Sequence, residues 1–272
     1  MREFVPALAL ASLMALVAPT AASAQALPPN EAGVTMGHWH LNSVSVETNQ
    51  KLFVAMGGSA IKPGDFNIVR FPGVMVFLHL RETGTPPTGG TEGTIVNHVG
   101  LAVPNLADAI TKWKAAGVQV MRAAENGMDQ AWVTTADGLR VSILEDKTQS
   151  MPIRHDHIHF SIDDAAIPQM QAWYVKHFGA KPGMRNETPV AELPGTELRF
   201  TKAATPVATT KGRILDHIGF DVSNLKDRMQ KLAADGVKIE RPFTPGPLGG
   251  GLAFIVDPWG TYIELNERPK PL

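Results

Sequence analysis

The sequence predicts an α+β protein in which one βαβββ module is repeated four times. Strand-like segments of similar composition begin at His38, His98, His157 and His217, at intervals of 59 or 60 residues. A repeat of this period indicates one supersecondary unit copied along the chain. In each segment large apolar residues alternate with small or polar ones, which is typical of a strand that is buried on one face.

Residues 1–24 are predicted to be a secretory signal peptide. An apolar run from Phe4 to Val17 is followed by the small residues Ala22 to Ala24, which form a cleavage site. The run is too short for a membrane helix. The mature protein is therefore expected to begin near Gln25, to be periplasmic or secreted, and to carry a linker over residues 25–37.

The first two modules show the helix and strand pattern in order. A helix is expected around residues 48–56, because Gly57 and Gly58 follow it as breakers. In the second module Asn105 is placed to cap a helix whose apolar residues recur at helical spacing, and Gly117 follows its end. Short apolar segments after each helix predict the three remaining strands of each module.

The last two modules follow a Pro-containing linker over residues 147–156. The third module has an expected helix around residues 165–178, with Gly179 as its stop. In the fourth module Asn224 is placed to cap a helix, and apolar strand segments follow. Each module therefore reads as βαβββ.

Composition excludes several classes of partner and site. The chain contains no Cys, so it offers no disulfide framework and no thiolate ligand for a metal. Its net charge of −1, with both signs mixed along the chain, provides no basic field for nucleic acid or for a membrane surface. A small molecule is the expected partner.

Side chains alternate between the two faces of a strand, and in these modules the polar ones fall on the same face. In HIGFDV the apolar residues Ile218, Phe220 and Val222 face the core, so His217 points to the opposite face. In the last strand of the fourth module Ile263 and Leu265 face the core by the same argument, so Glu264 points to the opposite face. His217 and Glu264 are therefore expected to share a polar face.

These residues resemble the vicinal oxygen chelate superfamily, which includes glyoxalase I, extradiol dioxygenases and bleomycin-binding proteins. The resemblance is carried by the His-opening strand HIGFDV and by DPWGTYIELNE with Glu264. It implies that modules pair into two domains, each an eight-stranded cup with flanking helices around a divalent metal. We expect the domains at residues 38–146 and 157–268, each made of two neighbouring modules.

The resemblance implies a metal held by His157, His217 and Glu264. Two histidines and one carboxylate are a ligand set of non-haem Fe(II) sites that also accepts other divalent ions, so Fe, Mn, Zn or Ni is expected. When Gly195 is aligned with Gly260, Arg199 falls opposite Glu264, and Glu197 takes that place only if the register slips. The expected substrate-binding residues are His159, Arg199, Tyr262 and Phe254.

The first half offers a weaker ligand set. His38 and His98 open its modules, but the same alignment puts Phe77 and Ser142 at the carboxylate positions. His79, two residues beyond Phe77, is an alternative third imidazole. We interpret this half as a vestigial second site with a structural or substrate-shaping role.

The function hypothesis is an exported metalloenzyme, dioxygenase-like or glyoxalase/isomerase-like, acting on a small substrate that chelates the metal through vicinal oxygens. The acid/base His and the Tyr that dioxygenases carry are replaced here by Lys202 and Phe254, so the general base is unassigned. The alternative is a metal-free binding protein of the bleomycin-resistance type. Either a monomer or a homodimer fits the sequence.

Overall fold

The structure is a computed structural model that describes residues 27–80, 86–125, 128–246 and 249–268. The predicted signal peptide, residues 1–24, lies outside these ranges. Within them, no helix is long and apolar enough to cross a membrane.

The element order confirms four βαβββ modules. The first two are β1 (Val34–Asn42), α1 (Val46–Ala55), β2 (Ser59–Ile61), β3 (Asn67–Phe71), β4 (Val74–His79), then β5 (Val96–Val103), α2 (Leu106–Ala115), β6 (Met121–Glu125), β7 (Met128–Thr134) and β8 (Arg140–Glu145). The last two are β9 (Arg154–Ile162), α3 (Ile167–Phe178), β10 (Lys181–Arg185), β11 (Thr188–Leu193), β12 (Thr196–Lys202), then β13 (Leu215–Val222), α4 (Leu225–Ala234), β14 (Lys238–Pro245), β15 (Gly251–Val256) and β16 (Tyr262–Glu267). A 3₁₀ turn at Asp164–Ala166 precedes α3. The predicted linkers are shorter than expected, because β1 begins at Val34 and β9 at Arg154.

The helix ends follow the sequence with one exception. Asn105 caps α2 by accepting a hydrogen bond from the backbone N–H of Asp108, and Gly179 ends α3 in the left-handed conformation, as expected. Asn224 itself adopts the left-handed conformation and makes no side-chain cap. The carboxylate of Glu267 replaces that cap by accepting the backbone N–H groups of Asn224 and Leu225.

The predicted core face is confirmed. Ile218, Phe220, Ile263 and Leu265 are fully buried, and the same holds for Phe160 of the third module. The helices cover this face of the strands, which leaves the opposite face of each sheet as the inner surface of a cup. Each cup therefore has an apolar outer layer and a polar interior.

The pairing of the modules corrects the sequence expectation. One eight-stranded sheet has the order β14-β15-β16-β13-β1-β4-β3-β2, and the other has the order β10-β11-β12-β9-β5-β8-β7-β6. We call the sheet of modules one and four the first cup, and the sheet of modules two and three the second cup. Neither cup corresponds to the expected domains at residues 38–146 and 157–268.

The reason for the difference is that every module presents the same edge, its first strand, to a partner. β5 and β9, from consecutive modules, pair antiparallel across the short connection between them, which leaves β1 and β13 to pair with each other. The repeat period contains no information about which edges meet. Both cups are completed within one chain.

Candidate metal centre

The first cup brings three histidines and one glutamate together on its inner face: His38 and His40 from β1, His217 from β13 and Glu264 from β16. One ligand atom of each lies within 4.8 Å of the others. The Nε2 atoms of His217 and His38 are 2.8 Å and 3.2 Å from the same oxygen, Oε2 of Glu264. Two imidazole nitrogens and one carboxylate oxygen therefore converge on one point.

Strand register places these groups. β1 runs antiparallel to β13 with His38 opposite Gly219, and β13 runs parallel to β16 with Gly219 opposite Glu264. A Cβ atom at residue 219 would lie 1.9 Å from Cε1 of His38. The glycine of HIGFDV is therefore required because the ring of His38 lies directly over it.

Asp216 sets the orientation of the His217 ring. Its Oδ1 lies 2.7 Å from Nδ1 of His217, and a carboxylate can only accept, so Nδ1 donates. The other oxygen of Asp216 is held by Asn42 and by the backbone N–H of Gly212. This arrangement directs Nε2 of His217 at Glu264, and it is the carboxylate–histidine pairing that commonly supports metal ligands.

The electrostatics of the centre favour a charged pair. Burial opposes the charged form of Glu264, but hydrogen bonds from His217 and His38 outweigh it and hold the pKa of this carboxyl well below its usual range. Burial likewise acts against protonation of His217, but its bonds to Asp216 and Glu264 prevail and raise its pKa. A cation between these groups would take the place of the proton.

His40 completes the cluster as a neutral group. Burial, then the neighbouring His217 and His38, lower its pKa well below the usual value. Its ring stacks on His217 at 4.4 Å and lies parallel to Phe77 at 5.9 Å. Phe77 pairs with His40 as Glu264 pairs with Gly219, so Phe77 occupies the second carboxylate position, as the sequence alignment predicted.

A cavity of about 720 Å³ opens over the cluster. Phe254 and Tyr262 form one wall, stacked on each other at 4.9 Å and edge-on to His217. Lys211 and Arg241 also line the cavity. The volume is in the range of small-molecule sites, and apolar walls with a few polar groups are typical of them.

Comparisons with known proteins agree with this architecture. Residues 154–265 match the family model described as Glyoxalase/Bleomycin resistance protein/Dioxygenase superfamily. This similarity covers modules three and four of the chain. No curated protein sequence matches the chain.

Two solved structures share the fold of most of the chain. Glyoxalase I from Zea mays shares 16% identity with a TM-score of 0.69, covering 86% of this chain and 92% of that chain. A putative dioxygenase from Bacillus subtilis subsp. subtilis str. 168 shares 13% identity with a TM-score of 0.66, covering 88% of this chain and 86% of that chain. At these identities the comparison establishes a shared fold.

The superfamily segment contains modules three and four, which lie in different cups. The structure therefore separates the predicted metal ligands: His217 and Glu264 are in the first cup, and His157 lies on β9 in the second cup. The third group that meets His217 and Glu264 is His38, whereas the sequence predicts a vestigial site for His38 together with His98. His98 lies beside His157.

The predicted substrate-binding residues also divide between the two cups. Tyr262 and Phe254 line the cavity beside the cluster of three histidines and Glu264. His159 and Arg199 lie on β9 and β12 in the second cup, opposite each other in register.

The alignment finds no histidine at the position of the dioxygenase acid/base, but two further histidines line the cavity of the first cup. His40 and His79 both line its cavity, although Lys202 and Phe254 occupy the positions that the superfamily comparison pointed to. The sequence contained the signal, because HWH at residues 38–40 repeats the histidine at alternate positions of one strand.

Proposed function

We propose that the protein is a metal-dependent enzyme with its active site in the first cup, where His38, His217 and Glu264 hold a divalent ion. The observation that carries this proposal is the convergence of two imidazole Nε2 atoms on one carboxylate oxygen, at 3.2 Å and 2.8 Å. Ligands about 2.1 Å from an ion, at octahedral to tetrahedral angles, lie about 3.0–3.4 Å apart. The 3.2 Å separation lies within this range, and the 2.8 Å separation is slightly shorter than it. The ligand types fit Fe, Mn, Zn or Ni.

Dioxygenase-like chemistry is the reaction class that this ligand set fits best. Two histidines and one carboxylate leave about half of the coordination positions for substrate and co-substrate. A bound ion would supply Lewis-acid activation or, as Fe(II), activation of dioxygen. Phe77 occupies the strand position equivalent to that of Glu264, and its apolar ring offers no second carboxylate ligand.

A second reaction class, glyoxalase/isomerase-like proton transfer, is favoured by His40. Its lowered pKa keeps the imidazole neutral, and it stands beside His217 at the edge of the cluster. A neutral imidazole at this place could accept a proton from a carbon atom of a substrate bound in the cavity. This class needs no dioxygen, so oxygen consumption separates the two.

The walls of the cavity indicate the kind of substrate. Phe254 and Tyr262 offer a stacked aromatic surface, and Lys211 lies over the ring of Tyr262 at 4.7 Å. Arg241 lines the same cavity, is exposed and forms no ion pair with any residue that the structure describes. We therefore infer a small substrate with two adjacent oxygens, a planar or apolar part and an anionic group.

The direct test combines metal content with turnover. Metal-free protein is reconstituted separately with Fe(II), Mn, Zn and Ni, and oxygen uptake with catechols is measured beside proton exchange with α-hydroxy carbonyl compounds. We expect His38→Ala to lose one equivalent of metal and all turnover, while His177→Ala, at the end of α3, keeps both. If His38→Ala retains metal and turnover, the proposal is wrong. If wild type holds no metal there and ligands raise Tm equally with and without chelator, the binding-protein alternative stands.

The substrate inference has its own test in Arg241→Met, which keeps the aliphatic length and removes the charge. For a carboxylated substrate we expect KM to rise about 10- to 100-fold with kcat little changed, since a charge-assisted bond contributes about 1.5–3 kcal/mol. For the corresponding amide or ester, KM should be the same in both proteins. A uniform effect on both substrates would assign Arg241 to structure instead.

A further inference from the structure

The second cup repeats the histidine geometry of the first. Its triad is His157, His159 and His98, and the equivalent triad of the first cup is, in the same order, His38, His40 and His217. The perpendicular ring pair is 5.3 Å apart at 86° in the second cup and 5.6 Å at 86° in the first. The stacked pair is 4.2 Å apart at 22° in the second cup and 4.4 Å at 27° in the first.

The same close approach of ring to backbone supports the second triad. A Cβ atom at Gly100 would lie 2.1 Å from the His157 ring, as a Cβ atom at Gly219 would from the ring of His38. Gly100 is opposite His157 in register. The geometry of the triad is therefore built into the pairing of β5 with β9.

Two lone pairs face each other in this triad. Nδ1 of His157 lies 2.8 Å from Oδ2 of Asp156, and Nδ1 of His98 lies 3.0 Å from Oδ1 of Asn97. Arg140 donates to the same Oδ1, which identifies it as the oxygen of the amide. Both Nδ1 atoms therefore donate, and both Nε2 atoms of the neutral rings carry lone pairs.

These Nε2 atoms are 3.3 Å apart, and the rings of His98 and His157 are 5% and 1% exposed. The hydroxyl of Ser142, 3.3 Å from Nε2 of His157, has one proton and satisfies only one lone pair. A buried acceptor left without a donor is unfavourable. A cation between the two nitrogens resolves the conflict.

The charges around the triad determine which ion fits. Ser142 and Arg199 stand in the places of Glu264 and Phe77, so neither of these strand positions offers a carboxylate ligand. The carboxylate of Asp156 contacts the triad at Nδ1 of His157, on the side of the ring away from the two facing Nε2 atoms. Glu197 and Asp156 bond Arg199 at 2.6 Å and 2.7 Å, which neutralises its charge. Three neutral imidazoles suit a borderline transition-metal ion and not a hard ion such as Ca²⁺ or Mg²⁺.

We infer that the second cup is a second metal site, in which His98, His157 and His159 hold a borderline divalent ion such as Zn²⁺. Two nitrogen ligands about 2.05 Å from an ion at the tetrahedral angle lie about 3.3 Å apart, which is the Nε2–Nε2 distance observed. His159 is half-buried and extends the cluster towards solvent. Burial first, then neighbouring charges, lower the pKa of all three rings, which keeps them neutral and able to ligate.

The test is a Zn²⁺ titration of metal-free full-length protein by calorimetry. Wild type is expected to bind two equivalents per chain. His157→Ala should lose one equivalent and keep the turnover of the first cup, whereas His217→Ala should lose the other equivalent. His159→Ala is a second variant of the same site, for the case that substitution of the buried His157 disturbs folding, because His159 is only half-buried. It should lower the affinity of that site for Zn²⁺ at least about tenfold.

His177→Ala is the matched control, because it removes a histidine that lies in neither cluster and should leave both equivalents. A second equivalent that His157→Ala and His159→Ala do not alter, or a single equivalent lost only in His217→Ala, overturns the inference. The two proposals can be tested separately. Even if the first cup binds no metal, His157→Ala should still lose the equivalent of Zn²⁺ that the second cup binds.

Discussion

Glu264→Gln is expected to abolish metal binding in the first cup and with it turnover. The carboxylate is the only negative ligand in the cluster, and both His38 and His217 direct Nε2 at its Oε2. A glutamine preserves the shape of the side chain but brings no charge. Outer partners of metal ligands already contribute about 10- to 100-fold in affinity, so loss of the ligand itself should weaken binding by more than about 100-fold.

The measurement is competition for the metal with a chelator of known affinity, in parallel with turnover. Asn266→Ala is the matched control, since Asn266 lies two residues along β16, lines the same cavity and is outside the ligand cluster. Metal-free Glu264→Gln should melt as a folded protein, which separates ligand loss from unfolding. Retention of wild-type affinity in Glu264→Gln would show that the ion is held elsewhere.

Sequence reasoning recovered the module because its determinants are local. The alternation in HIGFDV identifies the buried face around Phe220, and the structure confirms it. Asn105 and Gly179 act at helix ends as their intrinsic preferences predict. Asn224 failed as a cap because a distant carboxylate, Glu267, supplies the acceptor instead. An intrinsic capping preference takes no account of hydrogen-bond acceptors that the fold brings from distant parts of the chain.

The sequence predicted only those residues of the candidate site that belong to one module, because only local determinants can be read from it. His217 and Glu264 lie on neighbouring strands of one module, so parity alone put them on a common face. The third ligand depends on which first strand lies against β13, and that strand, β1, comes from the other end of the chain. His157 and His38 open their modules alike, so neither parity nor period could choose between them.

Both cups nevertheless obey one rule that the sequence displays. Modules one and three open with H-x-H, and modules two and four open with H-x-G. Each cup contains one of each kind, because the ring of the first histidine in H-x-H needs the bare backbone of the glycine opposite. This rule excludes pairing of modules one and three, although it admits either two or four as the partner of module one.

Gly219→Ala tests this rule with a large expected effect on both stability and metal binding. The new Cβ atom would lie 1.9 Å from Cε1 of His38, so the ring must leave its place over residue 219. Overpacking of this kind costs about 1–3 kcal/mol, which corresponds to a fall in Tm of roughly 2–12 °C. Because His38 is displaced, the first cup should also lose its metal, whereas the second cup should be unaffected.

Gly183→Ala is the control, because a Cβ atom there meets only a methyl group of Val190 at 3.4 Å on an exposed strand. Gly100→Ala is the reciprocal variant, since its Cβ atom would displace His157 and so affect the second cup alone. Metal binding by calorimetric titration and Tm by thermal melting are measured for all three variants. We expect Gly219→Ala to lose metal binding in the first cup only, Gly100→Ala in the second cup only, and Gly183→Ala in neither. If Gly219→Ala binds metal and melts like Gly183→Ala, then His38 does not need the space above residue 219, and its role as a ligand fixed by the sheet is wrong.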